Sequence, residues 1–436
     1  MPVLLFMRLV ASPPVTIHAV RHGFRWFPTM FRHTDGTLFL YIEYTYDAHF
    51  APVMRLRSTD GGHTWIEEDE NVPRLAFAHS FPDGELFEMD FYGFLDPREK
   101  DVVRLYGALS FPSDSTRPVR KEFIKLSSSS LHAISYQELL IRGFPHEPTH
   151  PWWQLLNVFE LGEEKALQVE ERLGYPPVPK AFDTGENIKL CGPFFTSGIE
   201  CEGRLIALGY GVLRLQANGQ PWPADGSAFY SSEWSVFCFE SRDRGRTWEE
   251  VSLVARGMST PPDGFTEATL VRLKDGRLYS IIRTGNVLHH TWSSDGGKTW
   301  LQPTPMKCAD SDHQPRSVWP VCKVLDDGAL VLVYGRPGKH IIFDPSGTGA
   351  QWQGHVDLHA LELATQEQNG VPPKLRLRGI VGSDQCIRQW DSGDYLFLVP
   401  VGPREMLVGY DVQIYIEHPN SPPVSGVRMT RVRLED

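Results

Sequence analysis

Two acidic residues, Glu267 and Asp384, occupy the same position in a pattern that recurs along the chain. Each stands eight residues before an Asp-Gly turn, or its equivalent, between two apolar alternating stretches. The other residues found by this count are Phe27, Phe194 and Trp319. A pair of carboxylates can divide acid and base roles when their surroundings separate their pKa values, as in glycoside hydrolysis. The aromatic ring of Trp319 could stack on a sugar face.

The stretches that must position these residues are predicted to form β-hairpins. The clearest copies are FPTMFRHTDGTLFLYIEY, TEATLVRLKDGRLYSIIR and SVWPVCKVLDDGALVLVYGR, with weaker versions at IECEGRLIALGYG and DQCIRQWDSGDYLFLV. A turn of this type between apolar alternations is the strongest short-range signal for a hairpin. We therefore expect each stretch to form the first two strands of a repeated unit.

A second motif, Ser-x-Asp-x-Gly-x-Thr-Trp, closes three of these units, at residues 58–65, 241–248 and 293–300. Its Asp can accept backbone N–H groups of its own turn, and its Gly allows the positive φ of a tight turn. Its Trp can bury a large apolar area against the next strand. A degraded copy, FDPSGTGAQW, follows later. Such recurrence indicates a repeat architecture, with the Asp residues as structural staples rather than catalysts.

The octet resembles the Asp-box of the sialidase (neuraminidase) superfamily, which links the third and fourth strands of propeller blades. The resemblance implies an all-β fold, a six-bladed β-propeller of four-stranded antiparallel blades, with seven blades as the alternative. We expect one domain over residues 1–436, with an insertion at 142–192 that carries the helix-like run GEEKALQVEERLGY.

The resemblance also implies roles for individual residues. The block around Glu267 and Arg283 resembles the sialidase segment with the glutamate that assists the nucleophile and one arginine of a carboxylate-binding triad. Arg25 in FRWFP and Arg336 in YGRPG match the other two arginines. Three converging guanidiniums would bind one carboxylate through charge-assisted, bidentate bonds. Asp47 matches the general acid/base aspartate, with Glu43 and His49 as rivals.

The last unit departs from the family pattern. Sialidases carry a tyrosine nucleophile at the position equivalent to Glu267 in the last blade, where the count gives Asp384. An anionic nucleophile would be repelled by the carboxylate on the anomeric carbon of sialic acid. Aspartate suits an ordinary hexose, a uronic acid or an inverting enzyme. Tyr334, Tyr410 or Tyr415 could supply a phenol from elsewhere.

Composition limits the partners and cofactors. The net charge of −11 argues against nucleic acid or an anionic membrane as the main partner. No apolar run approaches the roughly 18 residues of a membrane span. The beginning of the sequence makes a poor signal peptide, and the six cysteines form no CxxC pair, so we expect a reduced, cytoplasmic location. HEPTH matches a zinc motif, but its internal proline prevents the helix that the motif needs, so we predict no metal and no cofactor.

The sequence thus predicts a sialidase-like exo-glycoside hydrolase that cleaves a terminal, acidic sugar of the sialic or uronic type from a glycan. Its catalytic residues would be Asp47, Glu267 and Asp384, and its substrate-binding residues Arg25, Arg283, Arg336 and Trp319. Two alternatives remain: a polysaccharide lyase acting on a uronic acid, with Tyr334 and His313 as proton-transfer groups, and a non-catalytic glycan-binding propeller. The sequence does not indicate an oligomeric state.

Overall fold

The fold is all-β and propeller-like, as predicted. A computed structural model describes residues 7–21, 25–43, 53–68, 75–96, 99–114, 116–132, 193–223, 227–228, 231–257, 263–316, 318–335, 338–373, 376 and 395–436. The described strands form three four-stranded sheets, one five-stranded sheet and one nine-stranded sheet. The blade number, six or seven, stays a prediction, and the expected insertion at 142–192 lies outside the described residues.

Three sheets are antiparallel units of four sequential strands. In each of these sheets the four strands pair in the order in which they occur along the chain. Numbered along the whole chain, their strands are β3 (Trp26–Arg32), β4 (Leu38–Glu43), β5 (Val53–Ser58), β6 (Ile66–Glu67); β16 (Thr266–Arg272), β17 (Leu278–Arg283), β18 (His289–Ser293), β19 (Thr304–Pro305); and β20 (Val321–Val324), β21 (Leu330–Gly335), β22 (Lys339–Asp344), β23 (Gln353–Asp357).

The nine-stranded sheet contains two antiparallel runs joined at their outer edges, where β10 pairs with β15 in parallel. Its strands are β7 (Leu75–Ser80), β8 (Leu86–Leu95), β9 (Val102–Ser110), β10 (Arg120–Ser127), β11 (Leu131–His132), β12 (Phe194–Cys201), β13 (Arg204–Leu213), β14 (Trp234–Ser241) and β15 (Thr247–Ala255). The unit that contains the Asp83-Gly84 turn starts at Leu75, because β7 precedes that turn.

The last sheet joins the two ends of the described chain. The strands β1 (Arg8–Ala11) and β2 (Val15–Val20) both pair with β26 (Val424–Glu435), which continues to β25 (Glu405–Tyr415) and β24 (Leu396–Gly402). One helix, α1 (Leu358–Gln368), follows β23; the Asp357 side chain caps its beginning by accepting from the N–H groups of His359 and Ala360. No helix in the described ranges has the length and apolarity needed to cross a membrane.

The first strand of each unit lies toward the centre. In sequence order β3, β7, β12, β16, β20 and β24 each touch the next, and β24 touches β3 again, so they form a ring. Side-chain hydroxyls fasten this ring: the Thr196 Oγ1 donates to the carbonyl of Ala268 at 2.6 Å, and the Thr269 Oγ1 accepts from the N–H of Cys322 at 3.2 Å. Apolar clusters fill the space between neighbouring sheets.

The Asp-boxes lie between the third and fourth strands of their sheets and act as staples, as predicted. In the third box, Asp295 Oδ1 accepts from the Thr299 N–H at 2.9 Å, and Oδ2 accepts from the Thr299 hydroxyl at 2.6 Å. Asp60 and Asp243 make the same bonds in their own turns. These bonds lower the pKa of Asp295 to about 2. The Asp-box carboxylates are therefore hydrogen-bonded within their own turns.

Candidate functional site

Three of the inner strands begin with an uncommon backbone conformation at the predicted register position. Phe27, Glu267 and Trp319 have φ angles of 44°, 39° and 42°. For a residue with a Cβ, this region costs about 1–2 kcal/mol and is sparsely populated outside functional sites. Strand pairing is also shifted by a bulge after Trp26 and after Thr266. Bulges beside a site re-aim side chains, so we take this end of the ring as its functional mouth.

Glu267 is the centre of the contacts at this mouth. It is 6% exposed, and its Oε1 accepts a hydrogen bond from Arg283 Nη1 at 2.6 Å. Its Oε2 accepts from the backbone N–H of Trp319 at 2.8 Å. Three of the predicted site residues, Glu267, Arg283 and Trp319, therefore lie together.

Arg283 keeps its charge in this setting. Burial disfavours the guanidinium, but Glu267, Tyr395 and Asp263 outweigh burial and raise the pKa of Arg283 above its ordinary value. Its Nη2 lies 3.6 Å from Asp263 Oδ2, and its Nε is buried with no acceptor among the described residues. A buried, unused donor on a permanent cation is suited to bind an anionic group of a ligand.

Tyr395, which directly precedes β24, stands at the register position that the sequence count assigned to Asp384. In the sheet of β16, the hairpin centres on Asp275, eight residues after Glu267. In the last sheet, Leu396 pairs with Tyr410 and Val399 with Leu407, so the hairpin centres on Pro403, eight residues after Tyr395. We had taken DSGD at 391–394 as this turn, but those residues lie outside the described part of the chain, and the described hairpin of β24 and β25 turns at Pro403 instead. Asp384 itself lies outside the described residues.

The ring of Tyr395 lies at the mouth with the other register residues. Its centroid is 3.8 Å from that of Phe27 and 6.3 Å from that of Trp319. Sequence reasoning missed this residue because the Pro403-Arg404 turn carries no Asp-Gly signal.

Aromatic side chains line the same region. Phe91 packs 5.7 Å from Trp319 and 5.3 Å from Phe194, ring centre to ring centre. Trp319 is only half-buried, so part of its ring can contact a ligand. A cavity of about 120 Å³ follows the axis of the ring of strands, and both Glu43 and Tyr395 line it. The mouth thus combines a carboxylate, a cation and apolar faces, as sugar-binding sites do.

The remaining predicted residues do not join this cluster in the described part of the chain. Arg25 lies two residues before Phe27, but its Nε donates to His18 Nε2 at 2.9 Å and its N–H to Ser425 Oγ at 3.0 Å. Both of these contacts are with the last sheet. Asp47 and Arg336, like His49, lie outside the described residues. Within the described ranges, no group of three or more His, Cys, Asp or Glu side chains is placed to hold a metal ion.

Comparison with known proteins agrees with this architecture. Residues 203–371 match the family model described as a BNR repeat-like domain. This match confirms the resemblance to the sialidase-like superfamily of BNR-repeat propellers, which the Asp-boxes indicated. No curated protein sequence matches the chain.

Solved structures with the same fold include glycoside hydrolases. A Dyadobacter fermentans protein of unknown function has a TM-score of 0.56 at 15% identity, covering 98% of this chain and 99% of that one. A Penicillium chrysogenum α-L-arabinanase bound to arabinobiose has a TM-score of 0.50 at 13% identity, covering 98% of both chains. A Hadza microbial sialidase has a TM-score of 0.50 at 12% identity, covering 93% of this chain and 66% of that one. At these identities the likeness establishes a glycoside hydrolase-like fold.

Proposed function

We propose that this protein is an exo-glycoside hydrolase of the sialidase type, a six-bladed propeller that releases a terminal acidic sugar from a glycan. The observation that supports the proposal is the position of Tyr395, which stands at the register position that Glu267 has in its own sheet and whose ring centroid lies 6.3 Å from that of Trp319. It is the position at which the resemblance requires the nucleophile. Because this residue is a tyrosine, the repulsion expected between an aspartate nucleophile and the carboxylate of sialic acid does not apply to it.

In the proposed mechanism, Arg283 binds the substrate's carboxylate, and Arg336 is the further arginine that the resemblance implies. Glu267 accepts the phenolic proton of Tyr395, and the phenol oxygen attacks the anomeric carbon as the glycosidic bond breaks. Asp47 protonates the leaving oxygen and later activates the water that releases the sugar. A phenol is neutral until Glu267 takes its proton, so it approaches an anionic sugar without the repulsion that a carboxylate would meet.

The test is turnover of a panel of 4-methylumbelliferyl glycosides that carry sialic acid, glucuronic acid or α-L-arabinofuranose. We expect the protein to hydrolyse an acidic member, and Tyr395→Phe and Glu267→Gln to lower kcat by at least about 10³-fold. Tyr106→Phe, on β9, the third strand of its run, is the matched control and should retain activity.

Preference for the neutral arabinofuranoside would contradict the acidic substrate, and the Glu267 assignment would survive it. Retention of a tenth or more of kcat in Tyr395→Phe would contradict the nucleophile. Intact-mass analysis after treatment with a fluorinated sialosyl fluoride adds direct evidence, because a sugar bound to wild type and absent from Tyr395→Phe identifies the covalent intermediate.

A polysaccharide lyase is the second candidate, because His313 Nε2 and the Tyr334 hydroxyl are hydrogen-bonded in a cleft that Arg316 also lines. A lyase needs an arginine to neutralise the uronate and a Tyr or His to move protons. Burial raises the pKa of Tyr334, so its phenol stays protonated at neutral pH and could act as the acid. Ultraviolet absorbance of an unsaturated uronate product would identify the lyase; its absence during hydrolysis would exclude it.

A further inference from the structure

A lysine lines the cavity along the ring axis, deeper in the channel than the mouth. Lys323 belongs to β20 and follows Trp319 by four residues, which is up to about 13 Å of strand at about 3.3 Å per residue. The cavity has a volume of about 120 Å³, enough for one small ion and a few waters. Glu267 and Arg283 are not among the residues that line it, so this part of the channel is separate from their contacts at the mouth.

Lys323 is unpaired within the described part of the chain. Its side chain makes no hydrogen bond or ion pair with any residue that the structure describes. The side chain is exposed to the cavity, while the surrounding protein limits its hydration and lowers the pKa of Lys323 from its ordinary value. Glu43, an acid that lines the same cavity, pairs with Trp26 at the mouth end of β4 and forms no ion pair with Lys323. An unpaired charge in such surroundings is costly, and a bound counter-ion removes this cost.

Two hydroxyl groups lie beside this lysine on the neighbouring inner strands. Ser197 Oγ, on β12, accepts from the Leu270 N–H at 3.0 Å, which places it next to Thr269. Thr269 Oγ1, on β16, accepts from the Cys322 N–H at 3.2 Å, which places it next to Lys323. Both side chains line the axial cavity. The two bonds join three inner strands in turn, so both hydroxyls and Lys323 lie at one level of the channel.

Each of these hydroxyls still has a proton to donate. In both bonds the side-chain oxygen is the acceptor, and neither O–H donates to an atom in the described ranges. This level of the channel therefore offers two O–H donors and one ammonium group, and none of the described residues adds a carboxylate to it. Donors around a cation form a site for an anion, whereas a metal ion would need oxygen acceptors.

We propose that the axial channel binds one small inorganic anion, of the size of chloride, between Lys323 and the hydroxyls of Ser197 and Thr269. The anion neutralises the lysine and ties the inner strands of three sheets together at one point. The site does not depend on the proposed hydrolysis, so its occupancy can be measured without a substrate.

The first experiment follows urea unfolding of the full chain by tryptophan fluorescence at constant ionic strength, as sodium chloride replaces the sodium salt of the bulky sulfonate MOPS. An ion that binds only the folded chain stabilises it, so the unfolding equilibrium constant should fall about 10-fold when chloride exceeds its Kd about tenfold. Lys323→Met, which is uncharged and of similar length, should abolish this dependence. Lys307→Met, at an exposed lysine, is the matched control and should keep it. No dependence on chloride in wild type, or an equal dependence in Lys323→Met, overturns the inference.

The second experiment separates the channel from the mouth. It measures the width of the chloride NMR signal, which broadens when chloride exchanges with a site on the protein. Thr269→Val should raise the Kd for chloride about 10-fold, the size of one lost hydrogen bond to a charged group, and Thr269→Ser, which keeps the hydroxyl, should bind as wild type does. Broadening that is lost in Arg283→Ala but kept in Lys323→Met would place the anion at the mouth and contradict the proposal. If wild type does not broaden the signal, the cavity holds water alone and the inference is wrong.

Discussion

Two buried Arg–Glu pairs, similar in composition, differ in how completely they are satisfied. Arg428 and Glu362 join β26 to α1 through two bonds, Nε to Oε1 at 2.8 Å and Nη2 to Oε2 at 3.0 Å, and both side chains are 1% exposed. Arg283 and Glu267 share a single bond at the mouth, and their side chains alone are 21% and 8% exposed. The first pair excludes water, whereas the second lies open to the mouth.

The other contacts of the two pairs increase this difference. Glu362 also accepts from the hydroxyls of Tyr410 at 2.6 Å and Tyr415 at 3.1 Å, and Arg428 Nη2 donates to the Pro14 carbonyl. Arg283 instead has an unused Nε among the described residues, and Glu267 has a strained φ. A satisfied pair contributes to structure, while a pair with strain and a spare donor can bind a ligand.

The largest expected effect on stability is at the satisfied pair. Glu362→Gln should lower the free energy of unfolding by about 3–5 kcal/mol, because it leaves the Arg428 charge buried without its partner. Urea unfolding followed by tryptophan fluorescence measures this change. Glu249→Gln, at an exposed glutamate, is the control and should stay within about 0.5 kcal/mol of wild type. A loss below about 1 kcal/mol in Glu362→Gln would mean that the pair does not act as a buried unit.

The sequence predicted the parts of this molecule that depend on local spacing. The Asp-box residues and the shared register of Phe27, Glu267 and Trp319 follow from turns whose residues are neighbours in the chain. Tyr395 was missed because the count for the last sheet started from DSGD at 391–394 and not from the turn at Pro403. The Pro403-Arg404 turn between two apolar stretches was the signal that could have found it.

Contacts between distant segments could not be predicted in this way. Arg428 and Glu362 are 66 residues apart, and no periodicity connects them. The helix α1 was not among the sequence predictions either, although Asp357 is a good N-cap. The cleft that His313, Arg316, Tyr334 and His340 line is formed by a loop, the end of β21 and the beginning of β22. These segments come together only in the folded chain.

An intermediate effect is expected from the backbone strain at the open pair. Glu267→Gly should be more stable than Glu267→Ala by about 1–2 kcal/mol, because glycine adopts a φ of 39° without a Cβ clash. This order is the reverse of the usual one for a strand, in which glycine is the less stable residue. Urea unfolding of the two variants measures the difference directly. Greater stability of the alanine variant would show that the strain is absent and would weaken the contrast between the two pairs.

The smallest expected effect is at an exposed carboxylate that is satisfied by its own turn. The side-chain and backbone bonds from Thr299 lower the pKa of Asp295 to about 2 in the folded protein, below the value of 3.8 that it has without them. A carboxyl group whose pKa is lower in the folded than in the unfolded protein stabilises the fold at pH values above the unfolded pKa. This stabilisation is lost as the pH falls through the folded pKa. Asp295→Asn should therefore be less stable than wild type at pH 6, by under about 1 kcal/mol since solvent screens the site. The difference should shrink between pH 4 and pH 2, and urea unfolding at three pH values within this range would measure it. A difference independent of pH would mean that the Asp295 charge contributes nothing, and that the turn is held by geometry alone.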